Sequence, residues 1–229
     1  MATFVLIPGA GGSAWYFRRL VPILTERGHR AIAVDLPAAD PTAGLAEYTD
    51  TVLTAIGAHR DDADLVVLGH SLGGFTASLV AAKISPTLLV LTNPMVPRPG
   101  ETAGDWWADT GQAQARIDKA IQDGRDPEFD LAEYFFHDVP ADLAQEALAT
   151  PLPQSDAIFA TPWPLPAWPD VPTMVIQGRD DRFFPLEFQR RVVTERLGLP
   201  VDELPGGHLI ALSYPVELAD QLETYLRES

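Results

Sequence analysis

The chain has 229 residues, 46% of them hydrophobic, enough for one domain with a sizeable core and too few for two full ones. Its 32 acidic residues against 16 basic ones give a net charge of −16, which repels nucleic-acid phosphates and anionic membranes. It has no cysteine, which excludes disulfides, thiol nucleophiles and thiolate-held metals.

The opening apolar run, residues 4–7, is cut short by Pro8 and Gly9; it predicts a strand rather than a signal peptide, so the expected location is cytoplasmic. No apolar run approaches the ~20 residues of a membrane span. Further short, β-branched runs at 31–34, 65–68, 88–91, 174–176 and, weakly, 201–204 predict the remaining strands. Amphipathic stretches at 15–27, 45–58, 72–84, 186–197 and 210–227 predict helices between them. Gly28 stands where the first helix should stop with positive φ, and Pro185 where a first helical turn needs no amide hydrogen. Strand then helix, repeated, predicts an α/β fold with a mostly parallel, doubly wound sheet of about six strands, its apolar strands covered on both faces.

Residues 97–168 break the alternation. They contain helical pieces at 106–121, 131–136 and 141–149 but no clear strand, and predict an inserted helical cap, leaving 1–96 and 169–229 as the core. Its return leg carries Pro151, Pro153, Pro162, Pro164 and Pro166, with Pro169 and Pro172 just beyond. These predict a stiff extended connection without regular structure. Trp163 and Trp168 point to an ordered lid rather than a disordered linker.

The strongest chemical signal is Gly69-His70-Ser71-Leu72-Gly73-Gly74, between a predicted strand and a predicted helix. A serine hydroxyl is a poor nucleophile and must be held at the tip of a sharp turn where a base can reach it. Such a turn crowds the positions two before and two after the serine, and Gly69 and Gly73 fit there. Gly74 lets the helix approach the sheet, and the Leu72 amide falls at a helix N-terminus, ready to donate to an oxyanion. A phosphate-binding loop would need a lysine after the glycines, where Phe75 and Thr76 stand.

With these residues the chain resembles the alpha/beta-hydrolase superfamily, and within it the compact, cap-bearing group of plant methylesterases, hydroxynitrile lyases and their bacterial relatives. The likeness runs through nearly the whole chain and is weakest in the cap. It implies that the loop Pro8-Gly9-Ala10-Gly11-Gly12 supplies a second oxyanion donor, the Ala10 amide; relatives usually carry histidine where Pro8 stands. After the fifth strand, Asp180 and Asp181 both offer a carboxylate at a strand's C-terminal end. The family pattern, three residues after Gly178 and four before Pro185, selects Asp181, leaving Asp180 to cap the turn or pair with Arg179 or Arg182. Of five histidines, only His208 combines a glycine-rich loop at the right end of the sheet with a place after both serine and acid, the chain order this fold implies.

The resemblance therefore implies a serine hydrolase cleaving a small or medium apolar carboxylic ester through an acyl-enzyme, with catalytic Ser71, His208 and Asp181 and the amides of Ala10 and Leu72 as the oxyanion hole. Such a site needs no metal and no cofactor. Gly9, Gly11, His70 and Leu209 should line the pocket with the aromatics Trp106, Trp107, Phe135, Phe136 and Trp163, although Trp106 and Trp107 cannot both face inward from one helix. The expected partner is a small-molecule ester, with a homodimer allowed. One alternative is a carbon–carbon lyase: hydroxynitrile lyases carry a threonine and a lysine where Gly11 and Leu209 stand, and without those polar groups cyanide release lacks its electrostatic partner. The other is a non-catalytic small-molecule binder on a hydrolase shell.

Overall fold

The computed structural model describes residues 1–150 and 152–228; Pro151, counted above in the cap's return leg, and Ser229 at the end of the core lie outside them. Six strands make one sheet in the order β2-β1-β3-β4-β5-β6: β1 Thr3–Ile7, β2 Arg30–Ala33, β3 Leu65–His70, β4 Leu88–Thr92, β5 Thr173–Gly178 and β6 Asp202–Leu204. Every pairing is parallel.

Parallel strands with helices on both faces bury alternate side chains in two separate cores. Val5, Ile7, Val67, Leu89 and Leu91 face one, against Tyr48 and Val52 of α2 (Leu45–Ile56), Phe75 and Val80 of α3 (Gly73–Ile84) and Phe188 and Val192 of α9 (Leu186–Leu197). Phe4, Leu6, Val66, Leu68 and Val90 face the other, against Leu20 and Leu24 of α1 (Leu20–Glu26) and Leu218 and Leu222 of α11 (Pro215–Glu228). This double burial is why the central strands read as unbroken apolar runs.

Three predicted helices are broken. Residues 15–27 form a 3-10 turn, Ala14–Phe17, before α1, because Ser13 Oγ caps Trp15 N (3.2 Å) and the turn closes three residues on, Arg18 N to Trp15 O (3.0 Å). Residues 210–227 divide into α10 (Ile210–Ser213) and α11, since Pro215 has no amide hydrogen to continue the first piece. In the segment between β4 and β5, Gly111 at φ 69° separates α4 (Ala103–Thr110) from α5 (Gln112–Gln122).

That segment continues through α6 (Leu131–Phe135) and α7 (Ala141–Ala149), and its proline-rich return leg holds a short helix, α8 (Ala157–Ala160), where no regular structure was expected. The legs meet in an antiparallel bridge of Thr102 with Pro162, flanked by Gly100 N to Trp163 O (3.0 Å) and Trp163 N to Glu101 O (2.9 Å). Trp163 donates to Ser78 Oγ of α3 (3.0 Å) and stacks with Trp168, so the return leg is ordered against the core. Among the described residues no helix is long and apolar enough to cross a membrane.

Candidate active site

The sheet order reverses between β1 and β3, which open a crevice at their C-terminal ends, where ligands bind in open α/β sheets. β3 runs fully buried to His70, and α3 begins at Gly73. Between them Ser71 has φ 52°, a left-handed conformation that costs a side-chain-bearing residue on the order of 1–3 kcal/mol and persists only where its surroundings over-determine it. They do so here: Ser71 N donates to Thr92 O (3.0 Å), and Ser71 O accepts from Gly74 N (3.0 Å) and Met95 N (2.9 Å). The bend is as crowded as expected, since a Cβ on Gly69 would stand 2.5 Å from Ala77 Cβ and 2.9 Å from Gly73 O. The loop after β1 closes against it equally tightly, a Cβ on Gly9 falling 2.9 Å from Ser71 Cβ.

His208 faces this hydroxyl across the crevice, its Nε2 3.0 Å from Ser71 Oγ and its Nδ1 2.8 Å from Asp181 Oδ2. The carboxylate fixes the tautomer: Nδ1–H donates to Asp181, and Nε2 is left to accept from the serine. Both residues are buried, and a buried carboxylate needs donors on every side. Asp181 Oδ1 accepts the amides of Phe183 and Phe184 (both 2.8 Å), while Oδ2 also accepts Gln177 Nε2 (3.1 Å). Asp180 is exposed and ties down the histidine loop, its N donating to Gly206 O (2.9 Å) and its Oδ2 accepting Gly206 N (3.3 Å). It makes neither arginine pair that was expected; Arg182 reaches Glu133 instead (2.5 Å).

The amides of Ala10 and Leu72 donate to no acceptor among the described residues, and both residues line a cavity of about 530 Å³. The neighbouring Gly11 amide is taken by Gln154 Oε1 (2.6 Å). Ser71 and His208 also line this cavity, together with Gly9, Gly11, His70 and Leu209. His70 is buried against Tyr16, ring centroids 4.2 Å apart, with its Nδ1–H on the Thr92 carbonyl (3.2 Å). Burial, then the neighbouring His208, holds its imidazole well below the usual histidine range, so it stays neutral.

Of the five aromatics, Trp107, Phe135 and Phe136 line the cavity, and Trp106 and Trp163 do not. Neighbours on a helix point about 100° apart, so when Trp107 turns to the cavity Trp106 turns to the core, fully buried, its Nε1 on Val96 O (3.1 Å) and its ring near Phe184 and Phe188. Trp163 is held against α3 by its bond to Ser78. Phe183 supplies wall that the sequence reading missed.

Asn93, also outside the expected site, is fully buried just after β4 and has φ 45°. Its Oδ1 accepts Gly178 N (2.7 Å), and its Nδ2 donates to the carbonyls of Gly207 (3.0 Å) and His208 (2.7 Å). One side chain thus joins the ends of β4 and β5 to the histidine loop. An Asn-Pro pair ending an apolar strand at the serine's end of the sheet was the available signal, since asparagine tolerates the left-handed region.

Comparison with known proteins bears on the family and the fold. The pyrethroid hydrolase of Sphingobium wenxiniae is 29% identical over 96% of this chain and 86% of its own length. Polyneuridine aldehyde esterase of Rauvolfia serpentina is 32% identical over 43% of this chain and 41% of its own. A crystal structure of polyneuridine aldehyde esterase superposes with a TM-score of 0.78 at 22% identity, covering 98% of this chain and 99% of that one, a likeness of fold. The model of the alpha/beta hydrolase family matches residues 4–221, and the chain belongs to that family.

Proposed function

We propose that this protein is a carboxylesterase-type serine hydrolase acting on small or medium apolar esters. The observation that carries this reading is the continuous path for a proton from Ser71 Oγ to His208 Nε2 (3.0 Å), with His208 Nδ1 held by Asp181 (2.8 Å). As His208 takes the hydroxyl proton, Ser71 Oγ bonds to the ester carbonyl carbon and the carbonyl oxygen becomes an oxyanion, which the amides of Ala10 and Leu72 receive. The tetrahedral intermediate collapses by expelling the alcohol, protonated by His208, and leaves an acyl-serine. Water, deprotonated by the same imidazole, then releases the acid and restores Ser71.

The cavity wall supports an apolar substrate, since Trp107, Phe135, Phe136 and Phe183 line it and the rings of Phe135 and Phe183 stand edge-on to His208. The pyrethroid hydrolase and polyneuridine aldehyde esterase relatives support hydrolysis and, for the second, an ester substrate. Against the lyase reading, Leu209 places an alkyl group beside His208 and the Gly11 amide is occupied by Gln154, so cyanide would find no cation there.

Treatment with a fluorophosphonate, followed by intact mass and peptide mapping, should give one adduct, on Ser71. Ser71→Ala should abolish the adduct and lower kcat for an activated ester by roughly four to six orders of magnitude without loss of fold. An adduct on another residue, or steady turnover by Ser71→Ala, would overturn the assignment. A binder without catalysis would show ester binding and no acyl-enzyme burst.

A further inference from the structure

His208 must stand within tenths of an ångström of its place, yet it follows two glycines, Gly206 at φ 115° and Gly207, whose lack of side chains leaves the loop no stiffness of its own. What fixes it are bonds to its backbone. Gly206 is held at both N and O by Asp180, and the carbonyls of Gly207 and His208 are held by Asn93. Those partners belong to the strand ends of the core. The Gly207 amide is held from elsewhere: it donates to Asp138 Oδ2 at 2.6 Å, a short, charge-assisted bond from a carboxylate in the segment between β4 and β5.

We propose that Asp138 is a positioning residue for the hydrolase reaction, its carboxylate fixing the Gly207 amide and thereby the stance of the His208 imidazole against Ser71. The inference rests on the reading of the site given above. Asp138 is itself well placed to hold a position. Val139, next to it, is buried in the core cluster that contains Tyr16, Ile210 and Leu212. Three residues before it, Phe135 sets its ring edge-on to His208, centroids 4.9 Å apart at 80°. The segment thus touches the base at its ring and at the amide of the residue before it.

The fit is close. A Cβ on Gly207 would fall 2.6 Å from His137 Nε2 and 2.9 Å from Asp138 Oδ1, so the loop lies directly on both residues. Among the described residues His137 Nε2 and Asp138 Oδ1 are buried without hydrogen-bond partners, and they stand 3.9 Å apart. Burial, working against the pull of Asp138, keeps the His137 imidazole below its ordinary range. Near neutral pH His137 therefore does not draw the carboxylate away from Gly207 as an ion pair would.

The consequence is a division of labour. The core presents Ser71 and Asp181, and the inserted segment sets the last coordinate of the base. Because Asp138 contacts neither the cavity nor the reacting atoms, its loss should appear in the chemical step and not in substrate affinity. Misplacing a catalytic group by about 1 Å costs on the order of a hundredfold.

The test compares Asp138→Ala, Asp138→Asn and Asp138→Glu with the unmodified protein. It reads the second-order rate of fluorophosphonate addition to Ser71, kcat per burst-titrated site and KM for an activated ester. Asp138→Ala should lower the labelling rate and kcat together, roughly tenfold to a hundredfold, with KM changed less than about twofold. Asp138→Asn, whose amide oxygen can accept the same N–H, should recover most of both; Asp138→Glu, whose carboxylate is displaced by a methylene, should not. Labelling and kcat per site at the unmodified level in Asp138→Ala would overturn the inference, as would a loss confined to the fraction of active sites or to thermal stability. If Asp138→Ala does not fold, the other two variants decide: an impaired Asn variant beside an unimpaired Glu variant, or two unimpaired variants, would overturn it. Failure of the unmodified protein to label at Ser71 would instead remove the hydrolase reading itself.

Discussion

Asn93 makes three buried hydrogen bonds from a backbone conformation that few residues adopt, and two of its partners lie more than 100 positions away in the chain. Replacing it with alanine leaves the Gly178 amide and two loop carbonyls unpaired and keeps the left-handed φ without the side chain that favours it. At about 1–3 kcal/mol for each buried group left unpaired, the expected loss exceeds about 2 kcal/mol, with a fall in kcat as the histidine loop loosens. Asn93→Gly relieves the φ cost, about 1 kcal/mol, but not the lost bonds. It should therefore be the more stable of the two while losing as much activity. Urea unfolding and kcat per titrated site check this; an alanine variant within about 0.5 kcal/mol of the unmodified protein would contradict it. The same distances explain what could be read in advance. Ser71, Asp181 and His208 each sit in a local pattern of glycine, proline and strand that the chain displays within a few residues. Asn93, Gln154 and Asp138 act across long sequence separations; beyond the Asn-Pro pair at Asn93, no periodicity or spacing marks them. Trp106 and Trp107 were legible as a pair, one in and one out, but their assignment depended on where Val96 and Phe188 lay in space.

At the scale of elements, the strands were legible because burial on both faces made them continuously apolar, and each helix that kept a single apolar stripe was found. Breaks were missed where the cause was backbone geometry, at Gly111 and Pro215, because the apolar pattern carries straight across both. The joint between the segment from β4 to β5 and helix α9 was also invisible to pattern. There Arg196, on α9, donates to both carboxylate oxygens of Glu101 (2.5 and 2.8 Å) and to Val96 O (2.5 Å). Glu101 lies just before α4, and the two side chains are 2% and 4% exposed. A pair so far from water contributes little net stability relative to well-packed apolar residues, but losing one member strands the other's charge. Arg196→Met should therefore cost about 3–5 kcal/mol, whereas Glu101→Leu combined with Arg196→Met should recover most of that loss. Denaturant titration of both variants measures the difference, and equal destabilisation of single and double variants would show that the arginine acts through packing alone.

For the whole molecule, pH sets two forces against each other. A net charge of −16 destabilises the compact state by self-repulsion, but it changes little between about pH 7.5 and 5.5, since carboxylates titrate lower. The carboxylates of exposed Asp40 and Glu47 and of half-buried Asp62 titrate lower still, held down chiefly by hydrogen bonds from Thr42, from the Gly44 amide and from Thr3. The pH dependence in that window falls to histidines. His70 is held neutral by burial, with its pKa well below the ordinary value of 6.5. On unfolding it regains that value, so below about pH 6.5 the unfolded chain binds a proton that the folded one refuses, and stability falls as pH falls. The slope for one such group approaches about 1.4 kcal/mol per pH unit until the folded-state pKa is reached. His137, lowered chiefly by burial as well, adds to the slope of the unmodified protein. His70→Gln keeps a donor near the Thr92 carbonyl and has nothing to protonate. Both proteins share the surface repulsion and the other four histidines, so subtracting their unfolding free energies at each pH isolates His70. The difference should be flat above about pH 7 and should move steadily in favour of the glutamine variant as pH drops to about 5.5. A difference that stays constant across the whole range would mean that His70 takes up its proton in the folded state as readily as in the open chain, and that the packing of Tyr16 and His208 around it does not exclude the charge.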